Sequence, residues 1–271
     1  MQPMRLPNKV VFITDADGGS GRALMRRLAA EGAALLLNSP SNGRAVEAEL
    51  EQVRQSGVRA RVVSVDLCRS AEVVPMLERA AGELGPVDVL VHNNNLVVPI
   101  SVETGEEDVF LQVMNANAKS AYVCAKAVGE QMAAAGRPGK IVFVSSIHAE
   151  KPTGSSFAYS ASKGAVKMLA REASIVLGRR GISVNTIELG PVEGDDEVFR
   201  SDISKLYDSY RYKVPSAVLG THDDLAELVL FLASDEARYL NGADIRMDGG
   251  FLMHYLDFKM KLPQQSEEGA R

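Results

Sequence analysis

The sequence is poor in the residues that mark several common classes of protein. It has no tryptophan, two cysteines and four histidines in 271 residues. Cys68 and Cys124 lack the paired spacing of a metal or redox motif, so we expect two reduced, buried thiols in a cytoplasmic protein. The histidines are scattered along the chain, and we expect no bound metal.

Long apolar runs and clustered positive charge are also missing. No stretch approaches the roughly 20 apolar residues that span a bilayer, and the first residues do not resemble a secretory signal. A net charge of −5 argues against a nucleic-acid or anionic membrane surface. We therefore expect a protein with no membrane and no nucleic-acid partner.

What the sequence does contain is a regular alternation of short apolar runs and amphipathic helical stretches. Apolar strands separated by helices predict a parallel sheet that is covered by helices on both faces. The predicted fold class is α/β, a Rossmann-like doubly wound sheet of about seven strands. No repeat or linker divides the chain, so we predict a single domain over 1–271 with a core at about 7–250. The predicted strands begin at Val10, Leu35, Arg61, Val87, Lys140, Ile182 and Ala243.

Residues 191–218 interrupt this alternation. The stretch is polar and acidic, and several aromatic side chains are interleaved in it. A long insert after the carboxyl end of a strand in an open α/β sheet lies where ligands bind. We predict a lid over the substrate, with Phe199 and Tyr207 as substrate contacts; a solvent-exposed helical decoration is the alternative. Residues 251–271 form a C-terminal extension.

Tyr159 and Lys163 are four residues apart in a stretch with helical periodicity. Residues at this spacing lie on the same face of a helix. An ammonium group there favours the ionised form of a phenol whose usual pKa is about 10, which brings proton transfer closer to neutral pH. Ser146 ends a predicted strand thirteen positions upstream and can add its hydroxyl. The three residues predict chemistry on a carbonyl or alcohol oxygen.

A strand, a glycine-rich turn and a helix, followed by this serine and Tyr-xxx-Lys pair, resemble the short-chain dehydrogenase/reductase family. Other segments match the family in the same order over about 7–250. Asn117 lies where the family has its active-site asparagine, and Ile141–Ser146 matches the strand that ends in the serine. Further matches are Ser183–Ile187, Asn241–Gly242 and Met247–Gly250.

The resemblance implies an NAD(P)-dependent oxidoreductase that transfers a hydride between a nicotinamide and a ketone or secondary alcohol of a small to medium organic substrate. By this likeness Tyr159 is the proton donor or acceptor and Ser146 orients the reacting oxygen. Lys163 lowers the pKa of the tyrosine and binds the nicotinamide ribose, and Asn117 holds a water that relays protons. His148, two positions after Ser146, is a candidate substrate contact; an ordinary loop histidine is the alternative.

The cofactor turn departs from the family pattern Thr-Gly-x-x-x-Gly-x-Gly. Gly19 and Gly21 match, but Asp15 replaces the first glycine. Such glycines let the backbone approach a diphosphate at a helix N-terminus, where a carboxylate can oppose it. Asp17 is interpreted as a solvated loop residue. The predicted cofactor contacts are Thr14, Asp15, Gly19, Ser20, Gly21, Asn38, Ser39, Asp66, Leu67, Asn93, Asn94, Tyr159, Lys163, Gly190 and Val192.

The form of the dinucleotide is predicted from the end of the second strand. No acid follows it, whereas Arg44 and nearby hydroxyls can receive a 2′-phosphate, which favours NADP(H) over NAD(H). Asn94 and Asn95 stand where the family has alanine and glycine, and we expect them to crowd the ribose.

These departures leave two other functions open. One is a binding or scaffold protein that has lost the cofactor, and the other is a non-redox enzyme such as a dehydratase, cyclase or epimerase. The resemblance also implies a homodimer or homotetramer, formed through the two long helices around Asn117 and Tyr159 and through the C-terminal strand.

Overall fold

The protein is described by a computed structural model that covers residues 3–151, 154–194 and 213–253. Its seven strands form one sheet in which every neighbouring pair is parallel, in the order β3-β2-β1-β4-β5-β6-β7. This confirms the predicted fold class. The strands are β1 (Val10–Ile13), β2 (Ala34–Asn38), β3 (Ala60–Val63), β4 (Val89–His92), β5 (Gly139–Ser146), β6 (Ile182–Leu189) and β7 (Asp244–Met247).

Helices follow the strands along the chain, as the sequence periodicity predicted. Within the described residues the α-helices are α1 (Gly19–Ala30), α2 (Glu47–Gln55), α3 (Ser70–Leu84), α4 (Glu107–Met114), α5 (Ser120–Ala134), α6 (Phe157–Gly178) and α7 (His222–Ala233). None of these helices combines the length and apolarity required of a bilayer-crossing segment.

Alternate residues of the inner strands supply two separate hydrophobic cores. In β1, Val11 and Ile13 are buried in the core that also contains the inner faces of α1 and α7. Val10 and Phe12 point to the opposite face and pack with residues of α3, α5 and α6. This is the period of two that a pleated strand imposes. Helices on both faces hold the sheet rigidly, which fixes the positions of the loops at its carboxyl edge.

The strand order reverses between β1 and β4. β1 is hydrogen-bonded to β2 on one side and to β4 on the other, so the loops that follow β1 and β4 diverge to opposite sides. In open α/β sheets a ligand crevice forms at this switch point, outside the carboxyl ends of the strands. The predicted cofactor turn after β1 and the loop after β4 both lie there.

One predicted helix is divided in the structure. The stretch from 107 to 135 contains α4, a π-helical turn at Asn115–Lys119 and then α5. A π-turn inserts one extra residue and is common at functional sites, because it rotates side chains relative to a regular helix. Asn117 lies in this turn and is fully buried.

Two of the predicted regions are only partly covered. Residues 191–194 and 213–218 of the proposed lid are described, as are 251–253 of the C-terminal extension. Phe199 and Tyr207 lie outside the described residues. The lid, the two substrate contacts and the single-domain organisation therefore stay predictions.

Candidate active site

The loop after β4 joins the predicted cofactor turn to the predicted catalytic residues. The backbone N–H of Asn93 donates to Thr14 Oγ1 at 2.9 Å, and its side-chain Nδ2 donates to Asp15 O at 3.2 Å and to Ser20 Oγ at 3.0 Å. The three following residues each contact a different member of the predicted catalytic set. One short loop therefore holds both halves of the site.

Tyr159 is held by the third residue of that loop. Its hydroxyl donates to Asn95 Oδ1 at 2.7 Å, and the tyrosine is only 6% exposed. The His148 ring packs edge-on against the phenol ring, with 5.3 Å between the ring centroids. Asn95 itself is exposed, so a ligand in the crevice can reach the hydrogen bond between the two side chains. The sequence indicated Asn95 only as an obstacle to the ribose, and this contact was missed.

Lys163 is buried one turn further along α6, with 1% of its surface exposed. Its Nζ donates to Asn94 O at 2.9 Å and to Val144 O at 3.2 Å, and lies 5.5 Å from the centre of the Tyr159 ring. Burial lowers the pKa of Lys163 to about 7, against the opposing attraction of Asp15. The amine lies beside the phenol, as the spacing of four residues predicted.

Ser146 ends β5 and begins the 3₁₀ turn that carries His148. Its Oγ accepts the backbone N–H of His148 at 3.3 Å. Burial lowers the pKa of the His148 ring, and the charge of Lys163 lowers it further. A neutral imidazole therefore packs between the β5 turn and Tyr159, which brings the strand end and α6 together.

Asn117 is bound on every polar side-chain atom. Its Oδ1 accepts the N–H of Leu96 at 2.8 Å, while Nδ2 donates to Leu96 O at 2.9 Å and to Ser162 Oγ at 3.0 Å. Ser162 precedes Lys163 on α6. The asparagine therefore ties the β4 loop to α6, and its predicted role in holding a water stays a prediction.

The glycine turn packs closely against its own helix and against α7. A Cβ on Gly21 would lie 2.2 Å from Asp15 O and 2.7 Å from Ala16 Cα. A Cβ on Gly19 would lie 2.5 Å from Nε2 of His222, the first residue of α7. Neither glycine therefore has room for a side chain, and the backbone of the turn is approached closely. His222 was not predicted, because it is distant in sequence and belongs to no motif.

Asp15 does not point its carboxylate freely into this crevice. Its Oδ1 accepts the backbone N–H of Asp17 at 3.3 Å, within the turn itself. Burial raises the pKa of Asp15. The hydrogen bond within the turn directs one carboxylate oxygen of Asp15 towards the Asp17 N–H.

The interpretation of Asp17 as a solvated loop residue is wrong. Its Oδ1 accepts the Ser39 hydroxyl at 2.5 Å, and its Oδ2 accepts the N–H of Ser41 at 2.8 Å. Both serines belong to the loop after β2. Sequence periodicity carried no sign of this contact, because the two loops meet only where β1 and β2 end side by side.

The other predicted cofactor residues lie along the same edge of the sheet and differ in their burial and in their hydrogen bonds. Asn38 is buried, with Nδ2 donating to Thr14 O at 3.3 Å and Oδ1 accepting the N–H of Val65 at 3.1 Å. Asp66 Oδ1 caps the next turn by accepting the Cys68 N–H at 2.9 Å. The Leu67 side chain is in the hydrophobic core, so only its backbone faces the crevice.

Gly190 and Val192 form the opposite end of the crevice, where β6 ends. Gly190 N–H donates to Met247 O at 2.9 Å, and Val192 is buried and pairs with Gly220 just before α7. Asn94 Oδ1 is buried and has no hydrogen-bond partner among the described residues. A buried acceptor without a donor is costly, and a ribose hydroxyl can supply the donor. The residues present therefore fit a dinucleotide.

Comparisons with known proteins identify this arrangement. A family model described as enoyl-(acyl carrier protein) reductase matches residues 16–252. A short-chain dehydrogenase/reductase of Hericium erinaceus is 34% identical over 253 residues, which cover 90% of this chain and 97% of the relative. The chain belongs to the short-chain dehydrogenase/reductase family. As a member of it, the protein is an NAD(P)-dependent oxidoreductase.

Two further short-chain dehydrogenase/reductase relatives agree in length and fold. The 3-oxoacyl-(acyl-carrier-protein) reductase of Staphylococcus epidermidis is 30% identical over 246 residues, 91% of this chain and 100% of the relative. A solved structure from Agrobacterium tumefaciens, described as a 2-deoxy-d-gluconate 3-dehydrogenase with bound NADP, has a TM-score of 0.83 and 26% identity. It covers 93% of this chain and 100% of that one.

The close approach in the glycine turn of this short-chain dehydrogenase/reductase leads to a first prediction. Gly21→Ala places a Cβ 2.2 Å from Asp15 O, so the turn must shift. We expect about 1–3 kcal/mol of destabilisation, as for an overpacked core, and a dinucleotide affinity at least about tenfold lower. Thermal unfolding and calorimetric titration measure the two effects.

A second glycine provides the control for that prediction. Gly82 is exposed on α3, and a Cβ there meets nothing within 4 Å. Gly82→Ala is expected to leave binding unchanged and to raise stability by about 0.5–1 kcal/mol, since alanine is the better helix former. Equal behaviour of the two variants would contradict the close approach at Gly21.

Proposed function

We propose that this enzyme interconverts a ketone and a secondary alcohol on a small or medium-sized organic substrate, with Tyr159 as the proton donor or acceptor. The observation that carries the proposal is the loop after β4. Its consecutive residues Asn94 and Asn95 bind Lys163 and Tyr159 at 2.9 and 2.7 Å. Such contacts hold an acid and its neighbouring cation at the crevice where the family binds its cofactor.

The nicotinamide, when bound, supplies or accepts the hydride. The protein's part is to place the substrate oxygen against Tyr159 Oη and to move one proton. In the reductive direction the phenol gives its proton to that oxygen, and the hydrogen bond to Asn95 is exchanged for one to the substrate. Ser146 Oγ binds the same oxygen and keeps it oriented.

Lys163 supports the proton transfer by its charge. Two of its three N–H bonds go to the carbonyl oxygens of Asn94 and Val144, so the third is available for a ribose hydroxyl. A protonated amine 5.5 Å from the phenol ring stabilises a phenolate in a buried site. Asn117 acts by holding Leu96, and through it the loop that presents Asn94 and Asn95.

The substrate is proposed from the crevice and from the relatives. One relative is named a 3-oxoacyl reductase and another a dehydrogenase at a sugar carbon. Both names describe a carbonyl or alcohol within a larger organic molecule, which agrees with the exposed position of Asn95 beside the buried phenol. His148 is proposed to line the substrate side through its contact with Tyr159.

The relatives do not distinguish between NAD(H) and NADP(H) as the cofactor of this protein. The sequence favours NADP(H), because β2 ends without an acid and Arg44 is nearby. Arg44 is exposed, and its Nε donates to Ser41 O at 3.0 Å. Its guanidinium can therefore reach a ligand in this region. The hydroxyls of Ser39 and Ser41, however, are already hydrogen-bonded, the first to Asp17 and both within the loop after β2.

Assembly into a homodimer or homotetramer is proposed from the outer faces of α5 and α6. Tyr122 on α5 and Met168, Ile175 and Val176 on α6 are large apolar side chains that are more than half exposed. Apolar surface of this kind on neighbouring helices is typical of an interface between subunits. Light scattering measures the oligomeric state. A cytoplasmic location stays a prediction.

The second prediction tests the proposed function directly. We expect the purified protein to bind a reduced nicotinamide dinucleotide with a Kd below about 100 µM, measured by fluorescence or calorimetry. A panel of 3-oxoacyl thioesters, keto sugars and simple ketones should then include a substrate whose reduction consumes the dinucleotide. Absent binding would point to a binding or scaffold protein, and binding without turnover on any ketone to non-redox chemistry.

A further inference from the structure

An acidic side chain lies beside the end of β2, although the sequence of β2 and its loop contains none there. Asp17 comes from the turn after β1. Its two carboxylate oxygens accept hydrogen bonds from the Ser39 hydroxyl at 2.5 Å and from the Ser41 N–H at 2.8 Å. The end of β2 is the place from which the chain was predicted to contact the adenosine ribose.

The loop after β2 is built around this carboxylate. Ser39 Oγ also accepts the N–H of Gly43 at 2.7 Å, and Ser41 Oγ accepts the N–H of Ala45 at 2.9 Å. The two serine hydroxyls lie 3.2 Å apart. Because each serine is bonded to both the carboxylate and its own loop, the position of the negative charge is fixed before any ligand binds.

The two arginines near the Asp17 carboxylate, Arg22 and Arg44, do not form ion pairs with it among the described residues. Arg22 Nε donates to the backbone oxygen of Asp17 at 3.2 Å, and its Nη1 forms an ion pair with Glu49 at 2.6 Å. Arg44 is exposed, so its charge is screened by solvent and salt. Since neither arginine forms an ion pair with Asp17, no cation among the described residues is bound to its carboxylate beside the two serines.

We propose that Asp17 selects NAD(H) over NADP(H), which reverses the preference that the sequence alone favoured. The inference rests on the proposed function. A ribose diol has two hydroxyl donors that a carboxylate accepts well. A 2′-phosphate has only acceptor oxygens and about two negative charges near neutral pH, so the same carboxylate repels it. Asp17 comes from the β1 turn, but its carboxylate lies at the end of β2. There it can accept hydrogen bonds from the hydroxyls of the adenosine ribose and repel a 2′-phosphate.

Binding in the absence of any substrate tests the proposal. The dissociation constants of NADH and NADPH are measured by calorimetry for the wild-type protein and for Asp17→Asn, which keeps the shape and removes the charge. We expect the wild-type protein to bind NADH at least about tenfold more tightly than NADPH. In Asp17→Asn the affinity for NADPH should rise at least about tenfold, with a smaller loss for NADH.

Two further variants make the result specific. Asp17→Ser removes the charge with a different side chain and repeats the test should the asparagine variant fold poorly. Glu47→Gln removes one negative charge from the exposed first turn of α2 and should leave the ratio of the two affinities unchanged. Thermal unfolding of each variant verifies that it is folded.

The outcomes separate this inference from the proposed function. Equal or tighter binding of NADPH by the wild-type protein would overturn the selection by Asp17 while leaving the oxidoreductase intact. So would an affinity ratio that is the same in the wild type and both Asp17 variants. Failure of the wild-type protein to bind either dinucleotide would overturn the proposed function, and this inference with it.

Discussion

Tyr159→Phe is expected to lower turnover at least about a hundredfold while changing the dinucleotide Kd by no more than about threefold. The substitution removes only the hydroxyl that exchanges a proton with the substrate. The ring stays buried against His148, and the Asn95 amide that loses its donor is exposed, so water can replace the hydrogen bond. Steady-state kinetics and calorimetry measure the two quantities on the same preparation.

The matched control is a tyrosine far from the crevice. Tyr239 is 94% exposed, and Tyr239→Phe should change neither turnover nor binding. Wild-type turnover in Tyr159→Phe would refute the proton-transfer role. A large loss of dinucleotide affinity in that variant would mean that the hydroxyl holds the cofactor instead.

Lys163→Met is expected to lower turnover at least about a hundredfold. It is also expected to change how the free energy of unfolding depends on pH. The lysine is buried, and its pKa is lowered from 10.5 to about 7 by that burial. Between these values the unfolded chain binds a proton that the folded chain does not. Stability of the wild-type protein therefore rises with pH through this window.

The size of the effect follows from the two pKa values. Between pH 7 and pH 9 the titration of Lys163 should add about 2 kcal/mol to the free energy of unfolding. Methionine has a similar volume and does not titrate, so the variant should lack this rise. Denaturant unfolding at the two pH values, in the absence of cofactor, measures the difference between wild type and variant.

Lys126→Met serves as the control for that comparison. Lys126 is exposed on α5 and pairs weakly with Glu130 at 3.8 Å, so its removal should leave the pH dependence in this window unchanged. Parallel pH profiles for the wild type and Lys163→Met would show that the buried amine does not lose its proton on folding. The inferred charge state of the site would then be wrong.

Much of the fold could be predicted because its signals are local. Each strand is an apolar run between helical stretches, and each predicted strand is present with ends shifted by a few residues, as at β4, which begins at Val89. The pair Tyr159 and Lys163 could be predicted because residues four apart on a helix share a face. The resemblance extended this to Ser146, which ends β5.

The hydrogen bonds between the loops of the site could not be predicted from local sequence patterns. Asn94 and Asn95 looked like obstacles to the ribose, but they bind Lys163 and Tyr159, which are more than sixty residues away in sequence. Asp17 looked like a solvated acid because its partners Ser39 and Ser41 follow a different strand. A polar residue in a loop gives no sequence signal of its partner.

The amino-acid sequence by itself determined the parallel α/β fold, the glycine turn and the helical pair of tyrosine and lysine. These follow from backbone periodicity and from side chains that are neighbours along one element. Only the tertiary structure decided that the β4 loop binds both Tyr159 and Lys163 and that an acid reaches the end of β2. The reason is physical: parallel strands bring loops together at one edge of the sheet, and hydrogen bonds between those loops depend on positions in space.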